Sequence, residues 1–128
     1  MLLLDTCTLL WLAADQKKLS PKAAKAIKKS PQLLFVSAIS AFEIAIKSKN
    51  GKLSLPLSPQ EWFSQALEFH GINELPVTGT IAVSSVELPS LHNDPCDRII
   101  IATALENDMR ILTSDKLIKE YPQAKIIW

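Results

Sequence analysis

The sequence contains few of the residues that mark specialised structural classes. Its 128 residues include only 3 Gly and 2 Cys, and no apolar run approaches the roughly 20 residues that span a bilayer. The low glycine content and the absence of long polar runs exclude collagen-like and disordered chains. Two cysteines cannot form a dense disulfide framework, so we expect Cys7 and Cys96 to be thiols in a reducing compartment.

The N-terminal residues also lack the features of a targeting segment. The chain begins Met-Leu-Leu-Leu-Asp, with no basic residue before the apolar run and an acid directly after it. A secretory signal requires a basic start and a longer apolar stretch. We therefore expect a soluble, cytoplasmic protein with no membrane partner.

Charge is unevenly distributed along a chain whose net charge is only +1. Residues 1–60 hold nine lysines against three acids, whereas residues 61–128 hold five basic against ten acidic residues. This polarity is expected of a protein that handles a polyanion, although solvated helix faces would produce the same pattern. Because 48% of the residues are apolar, we expect a single domain over residues 1–128.

Short apolar runs alternate with helical patterns. Strands are expected at residues 2–4, 33–36, 72–77, 110–113 and 125–127. Helices are expected at 6–14, after Ser20-Pro21, after Ser40, after Ser58-Pro59, at 78–86, after Asp94-Pro95 and at 114–120, and Ser40 is expected to form a capping box with Glu43. The alternation predicts an α/β fold, a three-layer α/β/α domain with a central parallel sheet.

Acidic residues occupy special positions in this arrangement. Asp5 directly follows the first predicted strand, and Asp115 follows the fourth. Ligands bind beyond the carboxyl ends of the strands in such sheets. Glu43 and Asp97 each fall in the first turn of a predicted helix, and Asp94 precedes Asp97 by one turn. We therefore expect these carboxylates to converge at one end of the sheet.

Each acid also has a purely structural interpretation. Glu43 and Asp97 occupy capping positions, and Asp115 suits the dipole of a helix start. Capping does not require them to share a sheet edge with Asp5, however, and converging carboxylates repel one another unless divalent cations lie between them. Oxygen ligands without nitrogen or sulfur favour Mg²⁺ or Mn²⁺, which can activate water for phosphodiester hydrolysis.

Two other enzyme classes fit the sequence less well. A phosphoryl-transfer enzyme with Asp5 as nucleophile would resemble the haloacid dehalogenases, which require a second Asp where this chain has Cys7. The chain has no Gly-rich phosphate loop of the Walker type, which disfavours a nucleotide triphosphatase. A catalytically silent module that binds RNA or a partner protein stays open as the alternative.

Several segments form a familiar pattern over the whole chain. In order, they are Leu3-Leu4-Asp5-Thr6, Glu43-Ile44-Ala45-Ile46-Lys47, Leu88-Pro89 with His92, Asp94-Pro95 with Asp97-Arg98, and Leu112-Thr113-Ser114-Asp115. In this pattern the chain resembles PIN-domain proteins of the VapC type, the ribonuclease toxins of toxin–antitoxin pairs. The resemblance implies an α/β/α fold, a homodimer, and Mg²⁺- or Mn²⁺-dependent endonucleolytic cleavage of RNA that a cognate antitoxin holds off.

The resemblance also implies roles for individual residues. The catalytic residues would be Asp5, Glu43, Asp97 and Asp115. Of these, Asp5, Asp97 and Asp115 would hold the metal, and Glu43 would help to place the metal or the attacking water. The secondary candidates are Asp94, Lys47, Thr6 and Ser114. Asp94 is ranked below Asp97 because it serves chiefly as a helix cap, and Lys47 could orient Glu43, contact a phosphate or form a plain i,i+4 ion pair.

The sequence departs from the closest subgroup at three positions. Cys7 stands where His is common, Cys96 where Phe is common, and Ile81 where His is usual. The four core acids are all present. Because both cysteines flank predicted site acids, a redox link across the site is the alternative to two small buried thiols, which we expect.

Overall fold

A five-stranded sheet forms the centre of the computed structural model, which describes residues 1–29 and 33–128. Its strands are β1 (Leu2–Leu4), β2 (Leu34–Ser37), β3 (Asn73–Leu75), β4 (Arg110–Leu112) and β5 (Lys125–Ile127). Every pair is parallel, in the order β3-β2-β1-β4-β5. The predicted parallel sheet is confirmed. The third strand is shorter than expected and ends before Pro76, which has no N–H for the ladder.

Helices connect the strands and cover both faces of the sheet. In the described ranges they are α1 (Thr6–Ala14), α2 (Pro21–Lys29), α3 (Ala38–Lys49), α4 (Pro59–His70), α5 (Gly79–Glu87) and α6 (Pro95–Glu106). The predicted helix over 114–120 is wrong, because only the 3₁₀ turn Ile118–Glu120 forms there. Asp115 Oδ1 caps this segment by accepting the amides of Leu117 and Ile118. The amides of Glu120 and Tyr121 then donate to carbonyls three residues earlier, and Pro122 ends the turn. None of the helices in the described ranges combines the length and apolar character that crossing a membrane requires.

Of the four predicted N-caps, Ser20, Ser40, Ser58 and Asp94, three are confirmed. Ser20 Oγ accepts the amide of Ala23 at 3.0 Å, and Ser58 Oγ accepts the amide of Glu61 at 3.3 Å. Asp94 is the N-cap of α6 and accepts the amide of Cys96 at 2.8 Å. These side chains satisfy amides that the first helical turn leaves without a partner.

The capping box predicted at Ser40 is wrong. The N-cap of α3 is Ser37, whose extended backbone closes β2 and whose Oγ accepts the amide of Ile39. Strand and helix therefore join without a loop, and α3 starts earlier than predicted. Ser40 is buried within α3 and shares a hydrogen bond with the Thr6 hydroxyl. Glu43 consequently lies in the second turn of α3, where it has no capping role.

The sheet separates two apolar clusters, which gives the predicted three layers. Side chains alternate between the faces of a strand, so Leu2 and Leu4 pack with α1, α2 and α4 while Leu3 packs with α6. Ile100 and Ile101 of α6 are fully buried. Each such side chain stabilises the fold by roughly 1.5–3 kcal/mol.

The strand order creates a crevice beside β1. From β1 the chain moves outward through β2 and β3, then returns to the other side of β1 as β4 and continues to β5. Such a reversal opens a ligand-binding crevice at the carboxyl ends of the two central strands. The Asp5 amide donates to the Leu112 carbonyl at 3.2 Å. The segments that follow β1 and β4 therefore leave the sheet side by side.

Candidate metal centre

Asp5 is the most deeply buried acid of the site, with 5% of its surface exposed. It caps α1, where its Oδ1 accepts the amide of Thr8 at 2.8 Å, and its Oδ2 accepts the hydroxyl of Thr113. Burial raises the pKa of Asp5, the hydrogen bonds from Thr113 and Thr8 lower it in part, and Asp115 raises it further. Asp5 thus has a fixed orientation and a carboxylate within electrostatic reach of Asp115.

Asp115 lies beside Asp5 through a connection made by Thr113. The Thr113 hydroxyl donates to Asp5 and accepts the Asp115 amide at 3.0 Å. The two carboxylate oxygens of Asp115 have different partners. Its Oδ1 accepts the two turn amides already described, and its Oδ2 faces the crevice, 3.3 Å from His92 Nε2. One oxygen of Asp115 is therefore structural and the other lies among the converging groups.

Asp97 projects from the first turn of α6 into the same space. Its Oδ2 lies 3.0 Å from His92 Nε2. Ligand atoms of His92, Asp97 and Asp115 all lie within 4.8 Å of one another. Burial raises the pKa of Asp97 to about 7, and repulsion from Asp94 and Glu43 adds to the increase while His92 opposes it. The charges of Asp94, Glu43 and Asp115 therefore all act on Asp97.

Glu43 reaches the site from α3 and pairs with Lys47 one turn later. Glu43 Oε2 lies 3.3 Å from Lys47 Nζ. Burial of Lys47 opposes its charge, but attraction to Glu43 outweighs this effect, so the pKa of Lys47 is raised. The other oxygen, Glu43 Oε1, is buried and has no hydrogen-bond partner among the residues that the structure describes. A buried carboxylate oxygen without a partner is costly, so its position calls for a cation or a bound water.

The other candidates have mainly structural contacts. Thr6 is buried, and its hydroxyl joins α1 to α3 through Ser40. Asp94 caps α6, as predicted, although its charge also raises the pKa of Asp97. Ser114 lies half-buried between Thr113 and Asp115.

Both cysteines are free thiols, and the expected burial of Cys7 is wrong. Cys7 is exposed and Cys96 is half-buried. Partial burial, followed by nearby carboxylates, raises the pKa of Cys7 and raises that of Cys96 to about 11. Thiols with raised pKa values are weak nucleophiles, which disfavours the redox link considered above.

Sequence reasoning assigned no role to His92 and Thr113, which the structure places in the site. Thr113 could have been found from its position at the end of β4, next to Asp115. His92 precedes α6 in a loop whose course the sequence did not predict. That loop is held by Arg98, whose guanidinium donates to five backbone carbonyls, those of Ser85, Val86, Leu88, Pro89 and His92.

With this geometry in place, relatives identify the class of protein. Residues 2–124 match the PIN domain family, so the chain belongs to that family. It is 33% identical to Ribonuclease VapC22 of Mycobacterium tuberculosis over 98% of this chain and 97% of that protein. The resemblance to PIN-domain proteins of the VapC type is therefore confirmed.

Solved structures show the same fold at lower sequence identity. The DNA-bound VapBC of Salmonella typhimurium has a TM-score of 0.72 at 14% identity, over 98% of this chain and 95% of that one. A toxin–antitoxin complex from Klebsiella pneumoniae has a TM-score of 0.67 at 23% identity, over 97% and 95% of the two chains. These likenesses confirm the α/β architecture.

Proposed function

We propose that this PIN-domain protein is a VapC-type endoribonuclease that hydrolyses RNA phosphodiester bonds with a bound Mg²⁺ or Mn²⁺. The observation that carries the proposal is that Asp97 and Asp115 have ligand atoms within 4.8 Å of each other. Asp5 is joined to Asp115 through Thr113, and the charge of Glu43 acts on Asp97. The 33% identity to Ribonuclease VapC22 supports the choice of RNA as the substrate.

The residues of the crevice fit a divalent metal. Burial and the neighbouring acids raise the pKa of Asp97 to about 7, so the site accommodates the negative charge of Asp97 poorly without a cation. Glu43 Oε1 is a buried oxygen in need of a partner. Carboxylate oxygens are the ligands that Mg²⁺ and Mn²⁺ prefer. We assign Asp5, Asp97 and Asp115 as the residues that hold the ion.

When bound, the ion would lower the pKa of the attacking water and place positive charge beside the phosphate. The protein supplies orientation. Thr8 and Thr113 each hold one oxygen of Asp5, and each of those oxygens keeps a second lone pair. Lys47 holds Glu43 Oε2 and leaves Oε1 to orient the attacking water. Because Lys47 is already paired with Glu43, its direct contact with a phosphate is the less favoured of its roles.

Membership of the VapC type extends the proposal to partners. We propose that a cognate antitoxin protein holds this activity off in the cytoplasm and that the chain acts as a homodimer. Light scattering of the purified protein should give twice the mass of the 14.2 kDa chain. A monomer at micromolar concentration would contradict the homodimer and leave the cleavage reaction untouched.

Cleavage of total RNA by antitoxin-free protein tests the central activity. We expect cleavage with Mg²⁺ or Mn²⁺, none with EDTA, and none by Asp115→Asn or Asp97→Asn. Asp108→Asn is the matched control, because Asp108 is an exposed acid outside the crevice and Asn tolerates its positive φ of 49°. Metal-binding, folded protein that leaves all RNA intact would contradict the proposal and favour a silent RNA- or partner-binding module.

A further inference from the structure

His92 lies at the centre of the acidic site, where its ring makes three polar contacts, one through Nδ1 and two through Nε2. On one side of the ring, Nδ1 accepts the backbone amide of Asp94 at 3.1 Å. On the other side, Nε2 lies 3.3 Å from Asp115 Oδ2 and 3.0 Å from Asp97 Oδ2. The side chain is 8% exposed. These contacts restrict which nitrogen can carry the hydrogen.

The Asp94 amide decides the tautomer. A backbone N–H can only donate, so the nitrogen facing it, Nδ1, must accept and carries no hydrogen. The ring hydrogen then resides on Nε2 and points to the carboxylates. A histidine that binds a metal has the opposite pattern, because its second ring nitrogen donates to a carboxylate, carbonyl or water. Metal binding through Nε2 would place a hydrogen on Nδ1 against the Asp94 N–H, so His92 is a poor ligand despite its position.

We propose that His92 is a positioning residue that donates from Nε2 to the metal-binding carboxylates Asp115 and Asp97 without binding the metal. This inference rests on the proposed metal centre and adds a function for a residue at its edge. By contacting one oxygen of each carboxylate, His92 sets their relative orientation. The remaining lone pairs then face a shared position.

The loop around His92 is built to hold the ring in place. The His92 amide donates to the Tyr121 hydroxyl at 3.0 Å, and the His92 carbonyl accepts from Arg98 at 3.1 Å. The Tyr121 hydroxyl in turn donates to the Pro89 carbonyl at 2.9 Å. Backbone and side chain of His92 are therefore both fixed. Such rigidity suits a group that orients other side chains.

Two substitutions separate the functions of the two ring nitrogens. In His92→Asn the amide oxygen can replace Nδ1 as acceptor for the Asp94 amide, but the donor to the carboxylates is lost. In His92→Gln the amide nitrogen reaches the place of Nε2 and restores the donor. The matched control is His70→Asn, which alters the only other histidine of the chain, at the end of α4.

The measurement is Mn²⁺ affinity by calorimetry together with pulsed EPR of the bound Mn²⁺. We expect His92→Asn to weaken Mn²⁺ binding about 10-fold or more, His92→Gln to restore much of the loss, and His70→Asn to have no effect. The EPR spectra should show no directly coordinated imidazole nitrogen. A thermal unfolding scan of each metal-free variant separates loss of affinity from loss of fold.

Three different results would overturn the inference. A coordinated nitrogen signal that disappears in His92→Asn would make His92 a ligand and overturn the inference. Unchanged Mn²⁺ affinity in folded His92→Asn would also overturn it and leave the metal centre intact. If the unaltered protein bound no Mn²⁺, the metal centre itself would be wrong, and the inference would fail with it.

Discussion

At the scale of single residues, the surroundings of each carboxylate decide its role. Asp94 and Asp97 lie one turn apart at the start of α6, yet Asp94 binds the amide of Cys96 whereas Asp97 faces other acids. Asp5 combines the two roles, because it caps α1 and also lies beside Asp115. Residue type and spacing identified these acids as candidates. Their division into capping and converging groups required the structure.

Glu43 provides the clearest test at this scale. Glu43→Gln removes the negative charge and keeps the size of the side chain. Glu43 has no capping role, and its i,i+4 pair with the partly exposed Lys47 contributes only about 0.3–0.5 kcal/mol. The melting temperature should therefore hardly change. RNA cleavage should fall about 100-fold. Parallel cleavage assays and thermal scans check this expectation, and full activity in the variant would remove Glu43 from the site.

The raised pKa of Asp97 predicts how metal-free stability depends on pH. The folded protein binds the Asp97 proton up to about pH 7, whereas the ordinary aspartate value is 3.8. Between these values the folded state holds a proton that the unfolded chain has lost, so this group lowers stability as pH rises and exerts its full penalty above pH 7. The groups responsible besides burial are Asp94, Glu43 and Asp115, with His92 opposing them.

Asp97→Asn removes that pH dependence. In EDTA, the melting temperature of the variant relative to the unaltered protein should rise by a few degrees between pH 5 and pH 8. Asp108→Asn, which removes an exposed acid, should show no such trend. Thermal scans at intervals of one pH unit make the comparison. A difference that is flat or falls with pH would show that Asp97 is not destabilised by its surroundings.

At the scale of elements, the connection between α5 and α6 positions the site as much as the strands do. Arg98 collects carbonyls from the end of α5 and from the loop that follows it. Tyr121, which is 1% exposed, holds the same loop because its hydroxyl donates to the Pro89 carbonyl. Together they determine where His92 lies before α6 begins.

Tyr121→Phe tests this loop. The change keeps the buried ring but leaves the His92 amide without its partner, whereas the Pro89 carbonyl keeps its hydrogen bond from Arg98. Each buried group left unpaired costs about 1–3 kcal/mol, so the free energy of unfolding should fall by at least about 1 kcal/mol. Urea unfolding measures that loss, and Mn²⁺ binding should weaken in parallel. Unaltered stability together with unaltered Mn²⁺ affinity would show that the loop holds His92 without Tyr121.

Capping residues followed by proline predicted the helix starts correctly. Ser20, Ser58 and Asp94 each precede a proline, and all three start helices as expected. The N-cap predicted at Ser40 is wrong because Ser37, the last residue of β2, caps α3. A strand that continues directly into a helix has no loop sequence that would mark the helix start. The helix predicted over 114–120 is reduced to a 3₁₀ turn because Pro122 favours an extended backbone at Tyr121, the residue directly before it.

At the scale of the whole molecule, the topology brings the site together. Asp5 and Asp115 are far apart in sequence, and the rule that parallel strands end at one edge was sufficient to predict that they meet. This rule does not predict the course of loops, so the position of His92 between Asp97 and Asp115 could not be predicted. Its position depends on contacts of Arg98 and Tyr121 that join distant parts of the chain.

The most direct test of the metal centre is an anomalous difference map from crystals soaked in Mn²⁺. We predict a peak in the crevice between β1 and β4, within about 2.5 Å of carboxylate oxygens of Asp97 and Asp115, with His92 Nε2 beyond that distance. Crystals of Asp115→Asn should lose the peak. A peak elsewhere on the protein, or none at saturating Mn²⁺, would contradict a metal-dependent nuclease built on these acids.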